Sequence, residues 1–218
     1  MNIKHILFDF DGTLADTMPI FVDIYKELSV TQGFKPLTAG DLPELRRMSI
    51  PEKCAKMGVP LTKLVTLRPR FMKLFRERLP NIRIFDGIPE LLHELRARSI
   101  PVSILSSNDS DIIKEVLRRH QLETAFTSIA PSSSLFGKHK SIKKFLSSQG
   151  YRNGELLYVG DEQRDIEACK KVYVPVAAVS WGFDHEETLR SHKPDLFAWQ
   201  PADIAAYVRK TLEGGSGA

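Results

Sequence analysis

Two aspartates one residue apart, Asp9 and Asp11, stand at the end of an apolar run and are followed at once by Gly12. The run, Ile3 to Phe8, is broken only by Lys4 and His5 and reads as a buried β-strand. On an extended chain residues i and i+2 share a face, so both carboxylates can point into one space. Two like charges that close repel, which calls for a bound cation or a shared proton. Gly12 lets the chain turn sharply away, because glycine tolerates positive φ. Asp-Gly is also an ordinary turn pair. The longer pattern Asp-x-Asp-Gly-Thr, however, arises by chance only on the order of 10⁻³ times in a chain of this length at average residue frequencies.

Three further stretches carry side chains suited to an anion or a metal. Ser106-Ser107-Asn108-Asp109 follows a predicted strand, 101–105. Small hydroxyls there can donate hydrogen bonds to a phosphate oxygen without crowding it, although Ser and Asn are equally common as turn and helix-capping residues. Gly137-Lys138-His139-Lys140 opens a predicted helix. A helix N-terminus already carries positive partial charge, so a lysine placed there has a reason, and it can tie down both a phosphate and a carboxylate. A solvated lysine is the plain competing explanation, and Lys140 competes for the role. Gly160-Asp161-Glu162-Gln163-Arg164-Asp165 crosses from a strand end into a helix. Asp161 and Asp165, four apart, can meet at one cation; the plain explanation is a helix cap at Asp161 with Asp165 exposed.

The elements that must position these residues follow from hydrophobic periodicity. Pro19 to Val30 reads as a helix, with Ile20, Ile24 and Leu28 at helical spacing. Residues 38–79 hold short helical stretches punctuated by Pro43, Pro51, Pro60 and Pro69, with no strand. From Gly87 onward helix and strand alternate: helices at 88–98, 109–120, 139–149 and 163–172 precede strands at 101–105, 126–130, 155–159 and 175–179. A shorter helix near 185–192 and a strand at 195–198 lead to a last helix, 201–212. Such alternation predicts an α/β fold, a Rossmann-like parallel sheet with helices on both faces and ligands beyond the carboxyl ends of its strands. Residues 18–84 are expected to form an all-helical insert, or cap, between two parts of that core, 1–17 and 85–213.

Composition narrows the class. The 218 residues are 42% hydrophobic and 27% charged, ordinary for a globular protein with one core and a modest insert. No apolar run of membrane-spanning length and no signal-peptide pattern is present, so no membrane partner and a cytoplasmic location are expected. Cys54 and Cys169 lack metal-ligand spacing and are expected as reduced thiols. The net charge of +4 is too small to imply nucleic acid. It is uneven, however: residues 18–84 carry 13 Lys/Arg against six Asp/Glu, a basic lobe suited to an anionic substrate or to a solvated helical surface. The tail 214–218 has linker composition and is expected to be flexible.

The string DFDGTLADT resembles the first motif of the haloacid dehalogenase-like superfamily of phosphatases and phosphotransferases. Ser106 matches its second motif, Lys138 its third, and YVGDEQRDIEACKKV its fourth, Gly-Asp-x-x-x-Asp. The four occur in the family's order, and the stretch VSWGFDHEETLRSHKPDLF looks like the end of phosphoglycolate-phosphatase-like members. The resemblance implies a Mg²⁺-dependent phosphatase acting on a small phosphorylated metabolite, as a monomer or weak dimer. It implies Asp9 as nucleophile, Asp11 as acid and base, and Lys138 with Ser106 as charge-neutralising groups. Ser107 and Asn108 are implied as neighbours in the substrate cradle. The implied metal ligands are Asp9, the Asp11 carbonyl and Asp161, with Asp165 direct or one shell out. Arg46 and Arg47 fall where the family carries its substrate-specificity loop, and Arg47 is the expected substrate contact. A phosphomutase of the same fold is the nearest rival. A dehalogenase is disfavoured, because those members lack the second aspartate.

Overall fold

In the computed structural model, which describes residues 2–132 and 137–213, every long predicted element is present within a few residues of its expected bounds. The expected flexible tail, 214–218, lies outside the described residues. The first strand, β1 (His5–Phe8), is followed by a two-residue strand, β2 (Ala15–Asp16). The helical stretch comes next: α1 (Met18–Gln32), α2 (Leu42–Leu45), α3 (Ile50–Met57), α4 (Leu61–Thr66) and α5 (Arg68–Glu77). Its prolines mark helix starts rather than breaks. Pro19, Pro43, Pro51 and Pro69 sit in the first turn of α1, α2, α3 and α5, where the missing N–H would have had no partner anyway.

The chain returns through β3 (Arg83–Ile84), which pairs antiparallel with β2, Ala15 opposite Ile84. This two-stranded ribbon was not anticipated. Two residues are too short to show a period, and only partners 67 and 69 positions away turn them into strands. The remainder alternates: α6 (Ile88–Ala97), β4 (Val102–Ser106), α7 (Ser110–Arg119), β5 (Ser128–Pro131), α8 (Lys138–Gln149), β6 (Leu156–Gly160), α9 (Gln163–Lys171), β7 (Val176–Val179), α10 (Glu186–Ser191), β8 (Leu196–Ala198) and α11 (Pro201–Glu213).

The six long strands form one parallel sheet in the order β5-β4-β1-β6-β7-β8. The chain lays strands outward from β1 in one direction, then restarts beside β1 at β6 and proceeds in the other. The order reverses between β1 and β6, and a crevice opens there at the carboxyl ends. Both faces are buried. Along β1, Ile6 and Phe8 join a cluster with α6, α7 and α11, while Leu7 joins Ile142, Phe145 and Ile166 of α8 and α9 on the other face. Such two-sided burial explains why the strand reads as a nearly continuous apolar run. The first cluster continues without a break into α1 and α5 through Ile20, Ile24, Leu28, Met72 and Phe75, so the helical region and the sheet share one core. Among the described residues no helix is long and apolar enough to cross a membrane.

The central pair β1/β6 is tied at its amino-terminal end by Glu155. Its side chain accepts from Arg152 Nη2 at 2.7 Å and from the Arg152 amide at 2.9 Å, and pairs with Lys4 Nζ at 3.0 Å. Arg152 first, and then Lys4, hold the Glu155 carboxyl at about 2, below the usual 4.5. A depressed carboxyl stabilises the fold above its ordinary pKa, and that contribution is lost as the pH falls toward the depressed value. Glu155→Gln should therefore lower Tm at neutral pH, and the deficit against the parent should shrink between pH 4.5 and about 2. Thermal melts of both proteins across that range test this, and a deficit that does not depend on pH would contradict it.

Candidate active site

Asp9 is the residue at which the chain leaves the sheet. Its amide still donates to Val159 O at 2.8 Å, which extends the β1/β6 ladder by one step and anchors the residue. Its Oδ1 accepts the Phe10 N–H at 2.8 Å, and its Oδ2 accepts Lys138 Nζ at 2.5 Å. Lys138 is the first residue of α8 and is 3% exposed. The same ammonium reaches Asp165 Oδ1 at 2.5 Å and lies 5.4 Å from the centroid of the Tyr158 ring. Burial alone would depress its pKa, but the charges of Asp165 and Asp9 outweigh burial and raise it. Lys140, the rival lysine, is exposed.

Asp11 sits one step further along, in the turn, where both its carboxylate oxygens accept from Asn108 Nδ2 at 3.1 and 3.3 Å. Burial first, and then the charge of Asp9, push its pKa up to about 7, against the opposing Asn108 hydrogen bond. Asn108 is itself held by Ser106, the buried last residue of β4, whose Oγ accepts the Asn108 amide at 3.1 Å. Ser107 is half-buried, and its carbonyl accepts from Arg68 at 3.3 Å.

On the β6 side, both plain explanations for the aspartate pair fail. Asp161 does not cap α9, which is capped by Glu162, and Asp165 is fully buried rather than exposed. Asp165 Oδ2 accepts the Glu162 N–H at 3.1 Å while Oδ1 faces Lys138. Burial, opposed by Lys138 and reinforced by Asp9, raises its pKa to about 6. The Asp161 carboxylate turns toward Thr13 Oγ1, which donates at 2.7 Å, and toward the Phe183 N–H, also at 2.7 Å. Burial, then the charges of Glu162, Asp165 and Asp9, lift its pKa well above the usual range.

Two glycines make room for it. A Cβ on Gly12, whose φ is +77°, would lie 2.2 Å from Asp161 Oδ2, and one on Gly182 would lie 2.2 Å from Asp161 Cβ. The Gly12 identity is thus set both by its left-handed backbone and by the carboxylate against it.

Glu162 is the residue that the sequence did not single out. Oxygens of Asp9, Glu162 and Asp165 lie within 4.8 Å of one another, the one trio of metal-ligating side chains among the described residues. Burial works against the Glu162 carboxylate, but Arg164, which donates from Nε at 2.6 Å, and Lys138 hold its pKa down. Its position between Asp161 and Asp165 was the available signal, since a third acid in one short loop adds to the same charge cluster. Asp9, Asp11, Asp161, Glu162 and Asp165 are five carboxylates, and among the described residues Lys138 and Arg164 are cations hydrogen-bonded to them. This excess of buried negative charge, presented by oxygen donors alone, suits a hard divalent ion such as Mg²⁺. Of the two arginines, Arg47 is exposed and pairs with Glu187 at the start of α10, with His185 Nε2 at 3.2 Å. Arg46 turns to the backbone of residues 182–184.

Comparison with known proteins agrees with this geometry. Residues 6–179 match the haloacid dehalogenase-like hydrolases. A phosphoglycolate phosphatase of Synechococcus elongatus is 31% identical over 96% of this chain and 99% of its own length. A 5'-nucleotidase of Pseudomonas aeruginosa is 29% identical over 98% and 97%. Among solved structures, a haloacid dehalogenase-like family hydrolase from Streptococcus pneumoniae superposes with a TM-score of 0.79 at 20% identity, covering 94% of this chain and 98% of that one. A match running from the first strand through β7, with the four motif stretches converging on one crevice, means that this chain belongs to the haloacid dehalogenase-like hydrolases.

Proposed function

We propose that this protein is a magnesium-dependent phosphatase that hydrolyses a small phosphomonoester through an aspartyl-phosphate on Asp9. The observation that carries the proposal is the buried Lys138 ammonium bridging Asp9 and Asp165, next to an Asp11 carboxyl whose pKa is raised to about 7. Lys138 holds the Asp9 carboxylate in a fixed direction, which a nucleophile requires, while Asp11 can hold a proton near neutrality, which a leaving group requires.

In the first half of the reaction an Asp9 oxygen forms a bond to phosphorus as the ester P–O bond breaks. The departing alkoxide takes the Asp11 proton. In the second half Asp11, now a carboxylate, accepts a proton from the water that attacks phosphorus, and phosphate leaves with Asp9 regenerated. The Ser106 hydroxyl takes the Asn108 amide on its oxygen and donates to no group among the described residues, so its hydrogen can go to a phosphate oxygen. Asn108, which holds Asp11 in place, keeps the acid pointed at the same space.

The Asp9, Asp161, Glu162 and Asp165 carboxylates and the Asp11 carbonyl would hold a divalent cation, which would supply positive charge to offset the repulsion between phosphate and nucleophile. The phosphoglycolate phosphatase relative makes phosphoglycolate the first substrate to assay. A phosphomutase would share Asp9 and Asp11, and it would require a sugar bisphosphate for activation.

Asp9→Asn should abolish phosphatase turnover with the fold intact, because a carboxamide is far too poor a nucleophile. Activity near the parental level in a pure, folded sample would remove the covalent route. Asp11→Asn should reduce kcat by about 10²–10⁴-fold, the usual worth of general acid–base assistance. A loss restricted to substrates with poor leaving groups would keep the acid role and eliminate the base role. Mg²⁺ at a hundredfold excess over its dissociation constant should stabilise the protein by about 2.7 kcal/mol, seen as a rise in Tm. Asp161→Ala should blunt that rise, and a parent whose Tm ignores Mg²⁺ would contradict the metal assignment.

A further inference from the structure

Cap residues Arg46, Arg47, Lys53, Arg68 and Arg76 all direct their charges onto groups of the sheet-bearing part of the protein. One of these contacts grips the 182–184 loop that lies against Asp161. Arg46 Nη2 donates to Gly182 O at 2.8 Å and Asp184 O at 3.4 Å, and its Nε donates to Phe183 O at 3.2 Å. The Arg46 carbonyl accepts the His185 N–H at 2.7 Å. One planar guanidinium therefore gathers three successive carbonyls, a geometry suited to arginine's fixed fork of donors rather than to lysine.

The loop so gathered has two buried connections to the site. The Phe183 N–H holds the Asp161 carboxylate at 2.7 Å. Asp184, 1% exposed, accepts the Gln163 N–H on Oδ2 at 2.8 Å, at the first residue of α9, and takes Lys53 Nζ of α3 on Oδ1 at 2.8 Å. The Phe183 ring packs edge-on against Phe21 of α1, with centroids 5.1 Å apart. Gly182 leaves no room for a side chain, since a Cβ there would lie 2.2 Å from Asp161 Cβ. The loop is thus fixed from the helical side by Arg46, Lys53 and Phe21, and on its other side it carries Asp161 and the start of the helix that bears Asp165.

We propose that Arg46 and Lys53 are positioning residues that hold the Gly182–Asp184 loop, and through it Asp161 and the start of α9, so that the acidic site is complete only when the helical region is seated on the sheet. This assigns Arg46 a task other than substrate contact, and it rests on the metal-dependent phosphatase reading only for its catalytic consequence.

The test compares the full-length parent with Arg46→Ala, Lys53→Met and Arg70→Ala. The last removes an exposed pair with Glu27 inside the helical region without touching the loop. Hydrogen–deuterium exchange on metal-free protein should show faster exchange across 182–184 in Arg46→Ala and Lys53→Met, and parental exchange in Arg70→Ala. Mg²⁺ titrations followed by Tm should show the dissociation constant raised about tenfold or more in Arg46→Ala, the scale of one lost charge-assisted hydrogen bond. With p-nitrophenyl phosphate the loss should fall on kcat more than on KM, because the substrate itself is not contacted.

Parental exchange across 182–184 in both variants overturns the inference, whatever Mg²⁺ does. If the parent ignores Mg²⁺ while the loop exchanges faster in the variants, the phosphatase reading fails and the loop placement stands. Should Arg46→Ala not fold, Lys53→Met carries the comparison by itself, since it leaves the Arg46 contacts in place.

Discussion

Crowding of negative charge at the junction of β1 and β6 is the constraint around which the rest of the molecule is arranged. Asp9, Asp161 and Asp165 are each 3% exposed or less. Removing carboxylates from water costs several kcal/mol apiece unless opposite charge and hydrogen bonds compensate. Compensation comes from groups that cannot drift. Lys138 is set by the first turn of α8, and the Phe10, Glu162 and Phe183 amides are fixed by the backbone, as the Asn108 amide group is by its own contacts. What remains uncompensated is a net negative site presented by oxygen donors, which suits a hard divalent cation.

The sheet makes the crowding possible. In a parallel sheet whose strand order reverses at β1, the ends of β1 and β6 lie side by side with their helices diverging. The ladder between them continues through the Asp9 amide, so the first carboxylate is aimed by the same hydrogen bonds that build the core. Each fully buried Ile, Leu or Phe in the strands contributes roughly 1.5–3 kcal/mol. The apolar faces of β1, with Phe8 on one side and Leu7 on the other, therefore supply the stability against which the polar site is strained.

The helical insert adds a second level of control. Its apolar residues are continuous with the sheet's core, and Phe21, Phe71 and Phe75 pack against one another beside Phe183. Around this apolar contact lie its arginines and lysines. On the β4 side, Arg68 and Arg76 pair with Asp109, the residue next to Asn108, and on the β7 side Arg46 and Lys53 hold the loop next to Asp161. Part of the excess positive charge counted in the sequence of 18–84 thus meets the loops beside Asn108 and Asp161. Substrate capture and a freely solvated surface, the two explanations open to the sequence, both overlook this use.

The alternation of helices and strands was legible in the sequence because hydrophobic period is a local property: Ile20, Ile24 and Leu28, or Val102 to Leu105, declare their element without knowing their neighbours. The same holds for Asp9, Ser106, Lys138 and Asp161, whose placement at strand ends and helix starts follows from the chain alone, so that a parallel sheet must bring them toward one edge. Strand order was not legible, nor was the β2/β3 ribbon, since both depend on pairings between residues 67 or more apart. Tertiary structure also decided which acids share a space. It placed Glu162 with Asp9 and Asp165, and turned Asp161 toward Thr13 and the Phe183 amide. It chose Lys138 over Lys140 by burying one and exposing the other, and sent Arg46 to carbonyls 136–138 positions away while Arg47 met Glu187. Those outcomes depend on side-chain direction across contacts remote in sequence, and only for Glu162, set between Asp161 and Asp165, did residue type and spacing carry a signal.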